Sequence, residues 1–154
     1  MHYDLRKNGF KKIKLLDGDN LRNMMTEKFG YSVEERIKLI NRYIKIINNE
    51  NEKGFIVIIS TVSHLIKMRG LARDKLSNFM EINLICDPKI CAGRDYKNIY
   101  DKINDNSDEC LPGVTEPYEI SKQADLVLDT GQNSIEYSRK KLYRNVKSFL
   151  ESLL

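Results

Sequence analysis

The segment Gly54-Phe-Ile-Val-Ile-Ile-Ser60 decides the fold. It is a short run of β-branched and aromatic residues that follows a glycine and ends at a polar residue. A strand with one exposed face alternates apolar and polar residues, whereas a run without alternation indicates a strand buried on both faces. Strands of this kind belong to parallel sheets that are covered by helices on both sides. The segment therefore predicts a strand of an α/β domain.

Strands and helices alternate on either side of this segment, as expected for a mostly parallel sheet. Further strands are predicted at Lys12–Leu16, Met80–Ile85 and Leu126–Leu128. The helix between the first two strands is the clearest, because apolar residues recur along it at helical spacing. The order of elements predicts a single domain over residues 1–154.

Polar residues mark the ends of the predicted helices. Ser32 and Glu35 form a capping box at the start of the helix between the first two strands. That helix is predicted to end at the polar stretch 48–51. Asn133 and Glu136 are predicted to cap the closing helix in the same way.

Composition narrows the class of protein. A chain of 154 residues with 41% hydrophobic and 31% charged residues suits one compact domain. The net charge of +4 fits an anionic small substrate as well as it fits a solvated surface. No basic run is interleaved with aromatic residues, so no nucleic acid is expected as a partner. No apolar run is long enough to cross a bilayer, so no membrane partner is expected. Three cysteines lie apart from any histidine, which favours a reducing, cytoplasmic location.

Polar side chains follow each predicted strand, and ligands of open parallel sheets bind beyond these carboxyl ends. Asp87 and Asp129 are expected to be helix caps, a common use of Asp where a strand is followed by a helix. Asp17 and Asp19 flank one glycine, and two adjacent carboxylates repel each other while only one can serve as a cap. A metal ion, a cation or a proton transfer would account for the pair.

The residues around this pair resemble a known family. Leu16-Asp-Gly-Asp-Asn-Leu-Arg22, followed by Gly30-Tyr-Ser-x-x-Glu-Arg36, resembles the paired substrate motifs of the adenylyl-sulfate kinases. Further blocks follow in the family's order, namely Phe55–Ser60, Ala72-Arg73, Cys91, Arg94-Asp95-x-Lys97, Tyr100, Pro112-Gly113, Pro117-Tyr118-Glu119 and Leu126–Thr130. The resemblance covers the chain from Leu5 to about Thr130.

The resemblance implies a three-layer P-loop nucleoside-kinase-like fold and a phosphotransferase. In the family's reaction the 3'-hydroxyl of adenylyl sulfate attacks the γ-phosphate of ATP, which is bound with Mg²⁺ as co-substrate, and phosphoadenylyl sulfate forms for sulfate assimilation. Adenylyl sulfate and ATP are thus the expected partners, and a homodimer is compatible with the resemblance. Such chemistry depends on positioning and on cations around the phosphates.

The family's catalytic residues fall on three positions of this sequence. Asp19 matches the carboxylate near the attacking hydroxyl, and Asp17 matches its partner towards the metal carried by Mg-ATP. Ser63 matches a serine of the substrate loop and is expected to bind substrate before any other role.

The family's binding residues also have counterparts. Arg22 and Arg36 match the guanidinium groups that hold the anionic phosphosulfate, a task suited to fixed charge and forked donors. Tyr31 replaces a phenylalanine that stacks on the adenine, and its ring can stack in the same way. The remaining predicted residues are Asn20, Val62 and Leu111 in the substrate pocket, and Arg94 and Lys97 in the lid over ATP.

Four positions depart from the family's pattern. Leu39 replaces an asparagine that contacts substrate, Leu111 replaces a second aromatic that would sandwich the adenine, His64 replaces a proline, and Asn98 replaces a lid glycine. Stacking of a base on an aromatic ring is worth about 1–3 kcal/mol in other nucleotide complexes. Loss of one ring therefore leaves open a related kinase of another modified nucleotide, such as a cytidine diphosphoramidate.

The phosphate cradle of the family is missing from this sequence. A P-loop needs Gly-x-x-x-x-Gly-Lys followed by Ser or Thr, and no glycine here precedes a lysine. Leu5–Gly9 resembles the end of the helix that follows the P-loop, so the first, central strand and the loop are expected upstream of Met1. Three explanations stay open: a truncated piece of a working kinase, a remnant that binds nucleotide without transfer, and a module whose open sheet accepts a partner strand.

Overall fold

The computed structural model describes residues 1–95, residue 100 and residues 111–154. Helices and strands alternate through these residues, as the sequence predicts. In chain order the elements are α1 (His2–Lys7), β1 (Ile13–Asp17), α2 (Gly18–Met24), α3 (Val33–Glu52), β2 (Ile56–Ser60), α4 (Ile66–Lys75), β3 (Ile82–Ile85), α5 (Pro88–Ala92), β4 (Leu126–Asp129) and α6 (Ile135–Glu151).

The four strands form two parallel pairs. β1 pairs with β2 from Ile13 opposite Ile56 to Asp17 opposite Ser60. β3 pairs with β4 from Ile82 opposite Leu126. Within the described residues no ladder joins β2 to β3, so the sheet is divided at the place where the sequence predicts a missing central strand. That strand stays a prediction.

Helices cover both faces of the β1–β2 pair. Adjacent residues of a strand point to opposite faces, and Ile58 packs in one apolar cluster while Ile59 packs in the other. The Ile59 cluster is built on α3 and α4, and its buried residues include Ile40 and Met68. The Ile58 cluster is built on α1, β1 and α6, and Leu5 is fully buried in it. The predicted three-layer α/β fold is therefore confirmed.

The prediction that β2 is buried on both faces is wrong. Ile56, Val57, Ile58 and Ile59 are each only partly buried. The edge of β2 that faces away from β1 borders a cavity of about 150 Å³, and Ile59 and Ile82 both line it. The strand has helices over its faces, but its second edge has no neighbouring strand among the described residues.

The helix ends follow the predicted caps in part. Ser32 caps α3, and its hydroxyl accepts a hydrogen bond from the Glu35 amide at 3.3 Å. The predicted end at residues 48–51 is wrong, because α3 continues to Glu52. Glu50 accepts hydrogen bonds from Lys14 at 2.7 Å and from Lys53 at 2.9 Å, so the polar stretch is held in the helix.

The cap of the closing helix lies one residue later than predicted. Ser134, rather than Asn133, accepts a hydrogen bond from the Tyr137 amide at 3.2 Å. The Asn133 side chain instead donates to the Asp129 carbonyl at 2.8 Å. Among the described residues, none of the helices combines the length and the apolar character that crossing a membrane requires.

Candidate functional site

The candidate site begins at the carboxyl ends of β1 and β2, where Asp17 and Ser60 are register partners. The Ser60 hydroxyl donates to Asp17 Oδ2 at 3.3 Å. The Asn20 amide donates to Asp17 Oδ1 at 3.0 Å, so Asp17 is the N-cap of α2. Of the two neighbouring carboxylates, Asp17 therefore serves as the cap, and Asp19 lies in the first turn of α2.

Gly18 lets α2 start directly against β2. A β-carbon at this position would lie 2.9 Å from the Ser60 carbonyl oxygen. The buried Tyr43 hydroxyl donates to the Gly18 carbonyl at 2.8 Å. Burial raises the pKa of Tyr43, the Asp19 and Asp17 carboxylates raise it further, and Arg22 opposes them. The Tyr43 hydroxyl thus lies close to the predicted catalytic carboxylates.

Sequence reasoning did not identify Tyr43 as part of this region. The residue lies within the apolar stripe of α3, beside Ile40 and Ile44. Its one sequence signal is a hydroxyl on an otherwise aliphatic helix face, because a buried phenol usually requires a hydrogen-bond partner.

Two arginines flank the exposed ring of Tyr31. The Arg22 guanidinium carbon lies 4.4 Å from the ring centroid and that of Arg36 lies 5.4 Å from it. Arg22 Nη2 donates to the Gly30 carbonyl at 2.8 Å, and Arg36 Nε donates to the Tyr31 carbonyl at 2.9 Å. The ring is 55% exposed, whereas Arg36 is 8% exposed. The structure therefore brings these three predicted substrate residues together.

The predicted substrate residues Val62 and Ser63 lie in the segment 61–65, between β2 and α4. Val62 is 59% exposed. The Ser63 carbonyl accepts a hydrogen bond from Nη1 of Arg69, and Nη2 of the same arginine donates to the Glu119 carbonyl. Arg69 Nε also lies 3.2 Å from Glu81 Oε1. A buried arginine thus fixes the backbone of this segment.

Sequence reasoning missed Arg69. Its signal is a second arginine, Arg73, one turn later on α4, a helix that also carries apolar residues buried in the core. Charged side chains on such a face are rarely buried unless they are paired. The partner Glu81 directly precedes β3, so it lies outside the helix that carries Arg69.

His64 joins the segment 61–65 to the segment 111–119. Its side chain is 1% exposed, and Nε2 lies 2.7 Å from Glu116 Oε2. The carboxylate lies off the line of an ideal hydrogen bond. The His64 carbonyl accepts a hydrogen bond from the Glu119 amide at 2.9 Å. The Glu116 amide in turn donates to the Leu111 carbonyl at 3.3 Å, so these contacts connect the neighbourhoods of Ser63 and Leu111.

Of the two predicted lid residues, the structure describes only Arg94, and it contacts residues at other strand ends. Arg94 Nη1 donates to the Thr130 carbonyl at 3.1 Å and lies 3.9 Å from Cys86 Sγ. These contacts are at the carboxyl ends of β3 and β4, whereas Asp17 and Ser60 lie at the carboxyl ends of β1 and β2. The other residues predicted or noted in this region, Lys97, Asn98 and Cys110, lie outside the described residues.

Asp87 is a helix cap, as predicted, but the prediction of a helix cap is wrong for Asp129, because Ser134 caps α6 and Asp129 instead stabilises the turn that follows β4. Asp87 accepts a hydrogen bond from the Lys89 amide at 2.8 Å and begins α5. Asp129 accepts from the Gly131 and Gln132 amides, each at 2.9 Å.

Metal-ligating side chains are not clustered in the described residues. Across residues 1–95, 100 and 111–154, no three His, Cys, Asp or Glu residues are placed to hold one metal ion. Both oxygens of Asp17 already accept hydrogen bonds. A carboxylate has about four acceptor positions, so Asp17 can still contact a cation that arrives with a nucleotide.

Comparison with known proteins identifies the family. A family model described as adenylylsulphate kinase matches residues 1–129. An adenylyl-sulfate kinase of Bacillus licheniformis is 33% identical over 138 residues, covering 88% of this chain and 70% of that protein. A probable adenylyl-sulfate kinase of Aeropyrum pernix is 34% identical over 151 residues, covering 96% of this chain and 82% of that protein.

The fold agrees with a solved structure of a protein from the same family. The Mycobacterium tuberculosis APS kinase CysC in complex with AMPPNP and APS matches with a TM-score of 0.84 and 26% identity, over 94% of this chain and 85% of that chain. The chain therefore belongs to the adenylyl-sulfate kinase family of phosphotransferases.

Proposed function

We propose that these residues form the acceptor-binding half of an adenylyl-sulfate kinase. The observation that carries the proposal is the arrangement of Arg22 and Arg36 around the exposed ring of Tyr31. Two fixed positive charges beside a stacking surface suit a nucleotide that carries an anionic phosphosulfate. The matched structure that contains APS supports the same ligand class.

The carboxylates are assigned to the reacting hydroxyl and to the cation. Asp19 would accept the proton of the ribose 3'-hydroxyl as that oxygen attacks the γ-phosphate of ATP, with adenosine diphosphate leaving and phosphoadenylyl sulfate forming. Asp17 would hold α2 at the end of β1 and face Mg²⁺ brought in with ATP. Bound Mg²⁺ would neutralise charge on the phosphates.

Recognition of the acceptor is the part of the reaction that we assign to this chain. The sequence contains no Gly-Lys dipeptide, so the lysine and hydroxyl of a P-loop are not among its residues. Transfer of the phosphoryl group would need a phosphate cradle in addition. Arg94 and Lys97 are proposed to contact ATP from the lid. The scattered thiols continue to favour the cytoplasm as the location.

Calorimetry with adenylyl sulfate tests this proposal. Arg36→Ala should weaken binding about tenfold to a hundredfold, because a charge-assisted contact is worth about 1.5–3 kcal/mol. Lys45→Ala removes the same charge from the exposed side of α3 and should leave affinity unchanged. Circular dichroism must show that both variants fold. Equal affinity for adenylyl sulfate and adenosine monophosphate would overturn the assignment, since the sulfate would then contribute nothing.

Leu39 and Leu111 favour a second candidate function, in which the acceptor is a nucleotide other than adenylyl sulfate. Leu39 is 7% exposed and packs in the apolar cluster with Ile40 and Met68, so it offers no hydrogen bond to a ligand. Leu111 supplies no second ring. A cytidine diphosphoramidate, with a smaller base, would then bind more tightly than adenylyl sulfate in the same calorimetric experiment. A remnant that binds without transfer would show binding but no product with any acceptor.

A further inference from the structure

His64 is a polar residue in an almost fully buried position. Its side chain is 1% exposed, and Nδ1 has no hydrogen-bond partner among the described residues. An unsatisfied buried polar atom costs about 1–3 kcal/mol. An apolar side chain would fill the same space without that cost, so packing alone does not explain an imidazole here.

The contacts of His64 connect two segments that both carry predicted substrate residues. On one side it follows Ser63 directly. On the other side its Nε2 lies 2.7 Å from Glu116 Oε2, and its carbonyl accepts from the Glu119 amide at 2.9 Å. His64 and Arg69 therefore both hold the segment 61–65 in its position relative to the segment 111–119.

Charged groups near the imidazole come from three elements. The charge of Arg36 acts on it from α3, and the carboxylates of Glu116 and Glu119 act on it from the segment 111–119. Arg69 of α4 donates to the carbonyls of Ser63, the residue before His64, and of Glu119. Burial lowers the pKa of His64 below its ordinary value of 6.5, Arg36 lowers it further, and the two carboxylates oppose this. The imidazole is therefore neutral above about pH 6.5, and the positive charge of Arg36 is one reason.

We propose that His64 is a positioning residue of the acceptor site, which holds the two substrate segments together and couples binding of an anionic acceptor at Arg36 to uptake of a proton. The inference rests on the proposed function, because it assumes that Arg36 contacts the acceptor's anion. An anion beside Arg36 offsets the repulsion between the guanidinium and an imidazolium. Protonation of His64 then becomes easier in the complex than in the free protein, and by linkage the acceptor binds more tightly in acid.

Nuclear magnetic resonance can follow the proton directly, because the chain has only two histidines. The Cε1–Hε1 signals of His2 and His64 are assigned with the variant His2→Gln and titrated from about pH 5 to pH 8. Without ligand, the His64 midpoint should lie below the ordinary histidine pKa of 6.5. Arg36→Gln should raise the His64 midpoint, whereas Lys45→Gln on the exposed side of the same helix should not. An unchanged His64 midpoint in Arg36→Gln would show that Arg36 and His64 are not coupled, and this would overturn the inference.

Adenylyl sulfate is the probe for the second half of the experiment. Its addition should raise the His64 midpoint, and a rise of one pKa unit corresponds to about tenfold tighter binding in acid. Calorimetry at pH 6 in buffers of different ionisation enthalpy should show proton uptake in the wild type and none in His64→Gln. His64→Gln keeps a neutral polar group against Glu116 but cannot titrate, so its affinity should not rise between pH 7.5 and pH 6 as that of the wild type does, whereas His64→Leu should weaken binding at both pH values.

The outcomes separate the two proposals. If adenylyl sulfate binds through Arg36 but neither moves the His64 midpoint nor takes up a proton, this inference is wrong and the proposed function stands. If adenylyl sulfate does not bind at all, the proposed function fails first, and the Arg36→Gln titration still shows whether the two side chains interact.

Discussion

The Ser60 hydroxyl donates a hydrogen bond to Asp17 Oδ2 at 3.3 Å across the last register pair of the β1–β2 ladder. The same carboxylate caps α2 through the Asn20 amide. One side chain therefore fixes both the neighbouring strand end and the start of the helix that carries Asp19 and Arg22. The geometry of the proposed acceptor site depends on these two hydrogen bonds.

Asp17→Ala should lower the free energy of unfolding by about 1 kcal/mol, because an N-cap is lost. Asp17→Asn keeps an oxygen that can cap and should cost much less. Asp74→Asn is the matched control, because Asp74 is an exposed aspartate of α4 that caps no helix, and its stability should stay close to wild type. Urea unfolding measures all three. Equal losses in Asp17→Ala and Asp17→Asn would indicate that charge, and not capping, is the contribution of Asp17.

Gly18→Ala should destabilise the protein by about 1–3 kcal/mol, as overpacking does in a tight contact. The added β-carbon would meet the Ser60 carbonyl oxygen at 2.9 Å, and a backbone atom of a paired strand cannot move aside easily. Gly70→Ala in α4 is the control, because a β-carbon added there would have no other part of the described chain within 4 Å. That change should stabilise the helix by about 0.5–1 kcal/mol. Thermal and urea unfolding of both variants should therefore shift in opposite directions.

Glu50 should contribute to stability in a pH-dependent way. Hydrogen bonds from Lys14 and then Lys53 lower the pKa of this carboxyl below its ordinary value of 4.5. A carboxyl whose pKa is lower in the folded state stabilises that state above about pH 4.5, and the contribution disappears as the pH falls through the folded-state pKa. Glu50→Gln should therefore destabilise the protein at pH 7 and have little effect at pH 3. Glu52→Gln, which changes an exposed carboxylate two residues away, should show no such difference in urea midpoints.

The sequence correctly predicted helix caps whose donor and acceptor are close together in the chain. The caps at Ser32 and Asp87 were correct because donor and acceptor lie within three residues of each other. The continuation of α3 past residue 48 was missed because Glu50 is held by Lys14, a residue of β1 that is far away in the chain. A polar stretch predicts a helix end when the residues that it contacts in the folded protein are not known.

The candidate site was predictable to the extent that the family's motifs mark it. Arg22, Tyr31 and Arg36 lie within one short stretch of sequence, and the structure places them together. The contacts of His64 with Glu116 and of Arg69 with Glu81 could not be predicted, because each joins segments that only the fold brings near. Buried ion pairs leave no periodic pattern in a sequence.

The edges of β2 and β3 that pair with no strand among the described residues predict which backbone amides exchange rapidly with solvent. The Ile56 amide donates to the Lys12 carbonyl at 2.8 Å, so it points towards β1. Successive amides of a strand point to opposite edges, so the Ile58 amide also faces β1, while the Val57 and Ile59 amides point away from β1, towards the edge that has no strand partner among the described residues. The same reasoning applies to β3. The Glu81 carbonyl accepts from the Leu126 amide at 3.2 Å, so it points towards β4. The Ile82 amide belongs to the same peptide group and therefore points in the opposite direction, towards the cavity.

Hydrogen exchange of the isolated chain should therefore be fast at Val57, Ile59 and Ile82 and slow at Ile58. An open ladder also predicts a thermal midpoint below about 50 °C, at the lower end of the range for domains of this kind. A chain extended ahead of Met1 by an apolar strand and a Gly-x-x-x-x-Gly-Lys-Ser loop should protect the fast amides and raise the midpoint, because a parallel strand between β2 and β3 would pair with both edges. An extension whose strand contains two prolines is the control, since proline lacks the amide that a ladder needs. Slow exchange at Val57 and Ile59 in the unextended monomer would show that this edge of β2 is already paired. The predicted central strand would then have no place in the sheet.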